Sequence, residues 1–205
     1  AKDKVVVVLG GGDTGSDCHG TALRQGAKQV HSFELLPKPP VARTPGNPWP
    51  EWGRVFRSSS SHEEGGKRDW NISTKSFEGA NGVLKKINMV RLDWVDSGNG
   101  GPPKMVEIPG SEFSIEVDLV LLALGFLGPE KEFMLKQLGV ELTDRGNVKV
   151  SPNYMTTMPG IFSCGDMRRG QSLVVWAIWE GRECARCVDQ YIMGEARLPS
   201  SPFHY

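Results

Sequence analysis

The sequence predicts an α/β fold, and three observations predict it. The apolar run Val5–Leu9 is typical of a strand that is buried on both faces. Directly after it, Gly10, Gly12 and Gly15 stand in the spacing G-x-G-x-x-G, and an amphipathic helix begins within this turn. A second strand is predicted at residues 28–35. Strand, glycine turn, helix and strand in this order are typical of a Rossmann-like dinucleotide-binding domain.

Each glycine of the turn has a physical role. Gly10 permits the tight turn off the strand, Gly12 lets the backbone approach a pyrophosphate, and Gly15 lets the helix pack closely on the strand. The free N–H groups of the first helical turn, and the positive end of the helix dipole, face the phosphates in such a site. The predicted nucleotide-binding residues of the turn are Gly10, Gly11, Gly12, Asp13, Thr14 and Gly15.

An acidic residue ends the second predicted strand. Glu34 lies 19 residues after Gly15, and an acidic residue at about this spacing accepts hydrogen bonds from the ribose hydroxyls. A carboxylate there repels a 2′-phosphate, and no arginine follows it directly. The sequence therefore favours NADH over NADPH, unless Lys38 or Arg43 folds back onto a phosphate.

Composition and charge exclude several classes of function. Lys and Arg total 24 residues and Asp and Glu also total 24, so the net charge indicates neither a nucleic acid nor an anionic membrane as partner. The longest apolar run, residues 119–124, is too short to cross a bilayer. No secretory signal is recognisable. The expected location is therefore cytoplasmic, with a plastid as the alternative compartment.

The four cysteines predict neither a disulfide framework nor a metal site. Cys18, Cys164, Cys184 and Cys187 are too few and too scattered to staple a chain of 205 residues. Cys184 and Cys187 share one face of a predicted helix, which favours buried thiols acting as small hydrophobes over a dithiol centre. An iron–sulfur cluster needs more ligands than one C-x-x-C supplies.

Between the second strand and residue 124 the chain predicts a loop, a turn and a β-meander. Residues 37–50 contain six prolines, which predicts an irregular loop, and Trp49 and Trp52 indicate that this loop packs down. Residues 58–68 are typical of an exposed turn. Turns at 78–82 and 97–103 separate strands that are predicted at residues 71–77, 84–95, 104–108 and 114–122. The last strand, rich in Val and Leu, is expected to complete a doubly wound sheet.

A second unit is predicted after the small-residue turn 123–125, which divides the chain into domains 1–124 and 125–205. The second domain contains a predicted helix at 131–138, short strands at 148–150 and 160–163, and a long helix at 171–193. Asp166 follows the second short strand, at an edge where ligands of α/β sheets bind. The amides that begin the long helix can face an anionic or electron-rich ring.

Four segments together resemble a known family. They are GGGDTGSDCHGTALRQGAKQV, SFELLPKPPVARTPGNPWPEWGRVFR, PGSEFSIEVDLVLLALGFLGPE and GIFSCGDMRRGQSLVVWAIWEGR. The chain resembles the C-terminal portion of the flavoprotein, or small-subunit, region of glutamate synthase. FELLPKPP followed by NPWPEW is more similar to the eukaryotic-type, NADH-dependent branch than to the bacterial NADPH type.

The resemblance implies a flavoprotein with two dinucleotide-binding domains, in which the nicotinamide domain is inserted into the FAD domain. Residues 125–205 would then be the C-terminal half of the flavin domain. The implied activity is hydride transfer from NADH, or NADPH, to FAD for glutamate biosynthesis and ammonia assimilation, with no catalytic side chain. Asp166 would accept from the ribityl chain, and Gln171 to Leu173 would lie beside the isoalloxazine. The residues implied at the FAD site are Gly125, Gly165, Asp166, Gln171, Ser172 and Leu173.

The chain departs from the family pattern in two respects. It carries no earlier glycine motif for the ADP half of FAD and no cysteine clusters for iron–sulfur centres. The expectation is therefore an excised fragment or truncated homologue, inactive alone, whose partners are the remainder of the flavin domain and the large-subunit region of glutamate synthase. Two alternatives remain open: a related NAD(P)H-dependent flavoprotein oxidoreductase, and a non-catalytic nucleotide-binding module.

Two further groups of charged residues lie outside the motifs named so far. His62 with Glu63 and Glu64 is interpreted as a solvated polar turn rather than a contact to the nicotinamide. Arg168 and Arg169 either neutralise a phosphate or meet the missing half of the flavin domain.

Overall fold

The computed structural model describes residues 1–51, 53–98 and 100–201 and forms two compact units, Ala1–Leu124 and Gly125–Tyr205. Trp52, which was predicted to pack the proline-rich loop down, and Asn99, in a predicted turn, lie outside the described residues.

The first unit is built around a four-stranded parallel sheet. Its strands are β1 (Val5–Leu9), β2 (Gln29–Phe33), β3 (Lys67–Asp69) and β8 (Leu119–Leu122), in the order β3-β2-β1-β8. The central strand β1 pairs with β2 on one side and β8 on the other, with Val7 opposite His31 and Val120. Val6, Val7 and Val8 are completely buried, which confirms the prediction of a strand covered on both faces.

One face of this sheet is covered by the first helix, α1 (Asp13–Arg24). Val6 and Val8 of β1 point to this face, since alternate residues of a strand share a side. They form a buried cluster with Ala22 of α1 and Val30 of β2. The helix thus lies directly behind the strand that delivers the glycine turn.

The other face is covered by an antiparallel sheet rather than by helices, so the prediction of a doubly wound sheet is wrong. Ile87 and Met89, two residues apart on the long strand β5, pack against Val7, Leu9 and Phe33 of the parallel sheet. β5 pairs with β4 along one edge, and with β7 and β6 along the other. These strands are β4 (Ile72–Ala80), β5 (Val83–Val95), β6 (Lys104–Glu107) and β7 (Phe113–Glu116).

Two predicted segments divide differently in the structure. Residues 114–122, predicted as one strand, belong to β7 and β8 in separate sheets. Asp118 lies between the two, where its carboxylate accepts from the Val5 N–H at 2.8 Å. Residues 58–68, predicted as an exposed turn, contain the short helix α2 (Ser60–Glu63) and most of β3. β3 has no apolar pattern because its three residues are charged.

The proline-rich loop is irregular, as predicted, but Trp49 does not pack down. Trp49 is 81% exposed. Hydrogen bonds inside the loop hold it instead: the Arg43 guanidinium donates to the Asn47 and Pro48 carbonyls, and the Asn47 side chain accepts from the Arg54 N–H at 2.7 Å. Polar contacts therefore hold the described part of the loop, and Trp49 does not contribute to its packing.

The second unit has little regular strand. A π-helical turn, Lys131–Leu135, continues into α3 (Lys136–Leu138), and α4 (Asp166–Arg169) and α5 (Val174–Met193) follow. The strands predicted at 148–150 and 160–163 are present only as isolated β-bridges. Cys184 and Cys187 of α5 are buried against Tyr154, which confirms that they act as small hydrophobes.

Candidate functional site

Two glycines of the turn are required by the packing of the chain itself. Gly10 has φ +124°, and a Cβ on it would lie 2.1 Å from the Ala123 carbonyl oxygen, just beyond β8. A Cβ on Gly15 would lie 2.2 Å from the carbonyl oxygen of Gly10. No side chain fits at either position, because both contacts are to backbone. The close approach of α1 to the end of β1 therefore depends on Gly15, and the close approach of the turn to the end of β8 depends on Gly10.

Gly12 is different, because it faces open space. A Cβ on Gly12 meets no described atom from elsewhere in the chain within 4 Å. Gly12 is also the N-cap of α1, where the first N–H groups of the helix have no partner inside the helix. Asp13 and Thr14 of this first turn are exposed. The turn thus presents accessible backbone donors at the positive end of a twelve-residue helix.

A carboxylate lies over this turn. A Cβ on Gly11 would be 2.0 Å from Oε2 of Glu34, which follows β2. The other carboxylate oxygen accepts from Nη2 of Arg68 at 3.3 Å, and both side chains are largely buried. Sequence reasoning placed Glu34 beside the glycine turn, and the structure brings the two together. The sequence did not predict that Arg68 pairs with this carboxylate.

Aromatic rings position Arg68. Its guanidinium lies 5.1 Å from the ring centroids of both Phe56 and Trp70, and Nη1 donates to the Arg57 carbonyl at 3.2 Å. Nε of Arg68 is buried and, within the described part of the chain, has no hydrogen-bond partner. The arginine is therefore held in place by stacking while one of its donors is unused.

These residues line a cavity of about 320 Å³ in the first unit. The glycine turn and the start of α1 form one side, and the segment after the proline-rich loop forms the other. Three arginines face two carboxylates in its wall. The lining residues are Gly11, Gly12, Asp13, Ser16, Glu34, Pro39, Gly53, Arg54, Val55, Phe56, Arg57, Ser59, His62 and Arg68.

The two cations that the sequence singled out are not in this lining. Lys38 lies over the Phe56 and Trp70 rings, at 4.7 and 5.0 Å, and Arg43 is bonded to carbonyls of its own loop. Sequence reasoning missed Arg54, Arg57 and Arg68 instead. Arg68 was hidden because its strand was interpreted as a turn. The only signal for Arg54 and Arg57 was the presence of two arginines, three residues apart, in GRVFR.

His62 also lines the cavity, which the interpretation as a solvated turn did not predict. Its Nδ1 accepts from the Ser59 N–H at 3.3 Å, and its ring meets the fully buried His19 edge to face, with centroids 5.2 Å apart. Burial, together with the charges of Arg68 and His19, lowers the pKa of His62. His62 is therefore a neutral ring in the cavity wall at neutral pH.

In the second unit, two of the predicted flavin residues share a depression of about 260 Å³. Asp166 and Gln171 line it, together with Phe126, Gly128, Pro129 and Met167. The Gln171 side chain donates to the Phe126 carbonyl at 2.7 Å. Ser172 and Leu173 are exposed before α5 and are not in the lining. Gly125 has φ +86°, and a Cβ on it would meet no described atom from elsewhere in the chain within 4 Å.

Gly165 belongs to a buried polar cluster rather than to the surface. Its N–H donates to the Glu180 carboxylate at 2.8 Å, and that carboxylate also accepts from Arg168 at 2.6 Å and Arg169 at 2.8 Å. Glu180 is completely buried. The two cations therefore neutralise a carboxylate of their own unit, which the sequence did not predict. Their contact with a phosphate or with the missing half of the flavin domain stays a prediction. Glu180 precedes the buried Cys184 by one helical turn, and that spacing was the available signal.

In residues 1–51, 53–98 and 100–201, no three His, Cys, Asp or Glu side chains lie close enough to hold a metal ion. No helix within these ranges combines the length and the apolar character needed to span a membrane.

Comparison with known proteins shows similarity over almost the whole chain. The family model of pyridine nucleotide-disulphide oxidoreductases matches residues 1–181. The chain is 48% identical over 200 residues to the NADPH glutamate synthase small chain of Mycobacterium tuberculosis, covering 98% of this chain and 40% of that protein. It is also 48% identical over 207 residues to the NADH glutamate synthase of Schizosaccharomyces pombe, covering 97% of this chain and 10% of that protein. The chain therefore spans less than half the length of these relatives.

Solved structures of lower sequence identity share the fold. The thioredoxin reductase of T. acidophilum superposes with a TM-score of 0.58 at 21% identity, over 94% of this chain and 53% of that one. The thioredoxin reductase of Lactococcus lactis gives 0.59 at 17% identity, over 94% and 54%. The fold is thus that of a Rossmann-like flavoprotein.

Proposed function

Because the chain belongs to the family of pyridine nucleotide-disulphide oxidoreductases, we propose that it binds a reduced nicotinamide dinucleotide at the glycine turn. In the whole protein it passes electrons to FAD as the electron-input part of a glutamate synthase. One observation carries the proposal: Gly12 opens an unobstructed approach to the N-terminus of α1, with Glu34 beside it.

The geometry of the turn fits a pyrophosphate. The backbone N–H groups at the start of α1 supply donors, and the helix dipole favours negative charge at that end. Gly12 supplies the space, since no Cβ blocks the approach. Asp13, Thr14 and Gly15 form the first turn and act through their backbone.

Glu34 fits the ribose. Its Oε1 is held by Arg68, and its Oε2 lies over Gly11. A carboxylate in this place accepts hydrogen bonds from the 2′- and 3′-hydroxyls of an adenosine ribose. This supports NADH as a coenzyme of the chain.

Part of an FAD site is supported in the second unit. Asp166 and Gln171 border one depression, and the exposed residues Ser172 and Leu173 lead into the N-terminus of α5, where backbone N–H groups favour negative charge on a bound ring. When both cofactors are bound, the chemistry they supply is hydride transfer from the nicotinamide to the flavin. This chain orients and holds them, and no acid or base is needed.

The activity of the whole protein requires partners. This chain covers only 40% and 10% of the two relatives, and we assign to the remainder the other part of the flavin domain and the region that forms glutamate. The chain's own contribution is coenzyme binding.

Calorimetric titration with NADH and NADPH tests the proposal. Glu34→Ala is expected to weaken NADH binding about tenfold, because hydrogen bonds to a charged group are lost. It is not expected to weaken NADPH binding, because the carboxylate that repels the 2′-phosphate is removed. Glu112→Ala, at an exposed position outside the cavity lining, is the matched control and is expected to change neither. If the parent chain binds neither coenzyme below millimolar concentrations, the non-catalytic module is the better description.

A further inference from the structure

The contact between Glu34 and Arg68 is long for an ion pair of two largely buried side chains. Its N–O distance is 3.3 Å, whereas charged hydrogen bonds are usually 2.7–2.9 Å. In the second unit, Arg168 and Glu180 reach 2.6 Å. The weak contact does not result from a misplaced arginine, because Phe56 and Trp70 hold the Arg68 guanidinium by stacking. Arg68 is positioned by something other than Glu34.

Arg68 also has unused capacity for hydrogen bonding. An arginine side chain offers five N–H donors. Nη1 donates to the Arg57 carbonyl and Nη2 to Glu34, while Nε is buried without a partner among the described residues. The guanidinium lines the cavity, and two hydrogen bonds use only part of its five donors. It is therefore suited to an additional anionic oxygen atom.

The surrounding charge favours such an anion. Arg54, Arg57 and Arg68 line the cavity, against the two carboxylates Asp13 and Glu34. Arg54 and Arg57 are exposed at its surface. Arg68 lies beside Glu34, where the adenosine ribose is placed under the proposed function, and Arg54 and Arg57 add positive charge to the lining of the same cavity.

We propose that Arg68 makes this site accept NADPH as well as NADH, with Glu34 and Arg68 as opposed determinants of coenzyme choice. This inference rests on the proposed function. With NADH, Arg68 neutralises Glu34, which accepts the ribose hydroxyls. With NADPH, the 2′-phosphate takes Arg68 as its counter-ion, and Arg54 and Arg57 offset the remaining repulsion from Glu34. Discrimination between the two coenzymes is therefore weak.

The test measures the dissociation constants of NADH and NADPH for the parent chain and its variants by calorimetry. The parent is expected to bind both within about tenfold of each other. Arg68→Met is expected to weaken NADPH tenfold or more, because a charged hydrogen bond to the phosphate is lost, and to change NADH less than about threefold. Arg182→Met, at an exposed position of α5 outside the cavity lining, is the matched control and is expected to change neither.

Arg54→Met and Arg57→Met are variants at exposed positions that keep the test decisive if Arg68→Met does not fold. Each is expected to weaken NADPH selectively and to reduce the salt dependence of its binding. The inference is overturned if the parent prefers one coenzyme by more than about a hundredfold, or if the arginine variants weaken both coenzymes equally. Failure of the parent to bind either coenzyme would instead overturn the proposed function.

Discussion

Substituting the glycines of the turn one at a time separates those that hold the fold from the one that serves the ligand. Gly10→Ala places a Cβ 2.1 Å from the Ala123 carbonyl oxygen, whereas ordinary contact begins near 3.4 Å. The turn and the end of β8 must therefore move apart by about 1.3 Å, which strains the hydrogen bond from the Ala123 N–H to the Leu9 carbonyl. Positive φ adds backbone strain, because alanine rarely adopts +124°.

The two costs give the expected loss of stability. Backbone strain of this kind costs about 1–3 kcal/mol, and overpacking against backbone costs about 1–3 kcal/mol more. Gly10→Ala is therefore expected to lower the free energy of unfolding by about 2–6 kcal/mol. Gly15→Ala, with its Cβ 2.2 Å from the Gly10 carbonyl, is expected to lose about 1–3 kcal/mol, less any gain in helix propensity.

Gly12→Ala should behave in the opposite way. Its φ of −81° suits alanine and its Cβ meets open space, so the free energy of unfolding should fall by about 1 kcal/mol or less, which is the difference between glycine and alanine at an N-cap. The new methyl group stands where the pyrophosphate approaches, and NADH affinity should fall at least about tenfold. Gly181→Ala, which adds a methyl group to open space on α5, is the control and should bind NADH with the affinity of the parent.

Urea unfolding followed by tryptophan fluorescence, together with calorimetric titration of NADH, measures both quantities. Gly10→Ala is expected to lower the urea midpoint by about 1–3 M. The reasoning is refuted if Gly12→Ala destabilises the chain as much as Gly10→Ala does, or if it binds NADH as tightly as the parent.

Three further predictions concern buried groups. Glu180→Ala should lower the free energy of unfolding in urea by about 3–5 kcal/mol, because it leaves two arginines and a buried N–H without their acceptor. The control Glu132→Ala, in an exposed i,i+4 ion pair, should change this free energy by less than about 0.5 kcal/mol. Equal losses in the two variants would contradict this account. Burial and the neighbouring Cys164 raise the pKa of Cys184 to about 12, so Cys184 should resist iodoacetamide at pH 8 until urea unfolds the chain, as mass spectrometry of the peptide can show; rapid labelling of the native chain would argue against burial of this thiol. The lowered pKa of His62 favours its neutral form in the folded chain, so stability is lost as pH falls below the ordinary value of about 6.5. His62→Gln keeps an acceptor for the N-terminus of α2 and should lose less stability than the parent between pH 7.5 and 5.5. A pH profile identical to that of the parent would contradict this role of His62.

The first half of the Rossmann-like domain could be predicted from the sequence because its signals are local. Val5–Leu9 is apolar throughout, the glycine spacing is fixed by the turn, and α1 follows without interruption. The position of Glu34 followed from its distance along the chain, since strand β2 has a predictable length and runs parallel to β1. Each of these inferences spans a short stretch of chain.

The elements that were predicted wrongly depend on partners remote in sequence. β3 consists of Lys67, Arg68 and Asp69 and is a strand only because β2 pairs with it. The covering of the second face by β5, rather than by a helix, depends on Ile87 and Met89 meeting Val7 across the two sheets. Neither contact leaves a pattern within its own segment.

By itself, the sequence determined the glycine turn, the buried strand and helix that flank it, and the acidic residue at the end of the second strand. Only the tertiary structure decided which charges pair: Arg68 with Glu34 in the cavity of the first unit, and Arg168 and Arg169 with Glu180 in the second unit. The physical reason is range. Periodicity and turn chemistry act over a few residues, whereas an ion pair forms wherever folding brings opposite charges together, and Glu34 is separated from Arg68 by 34 residues.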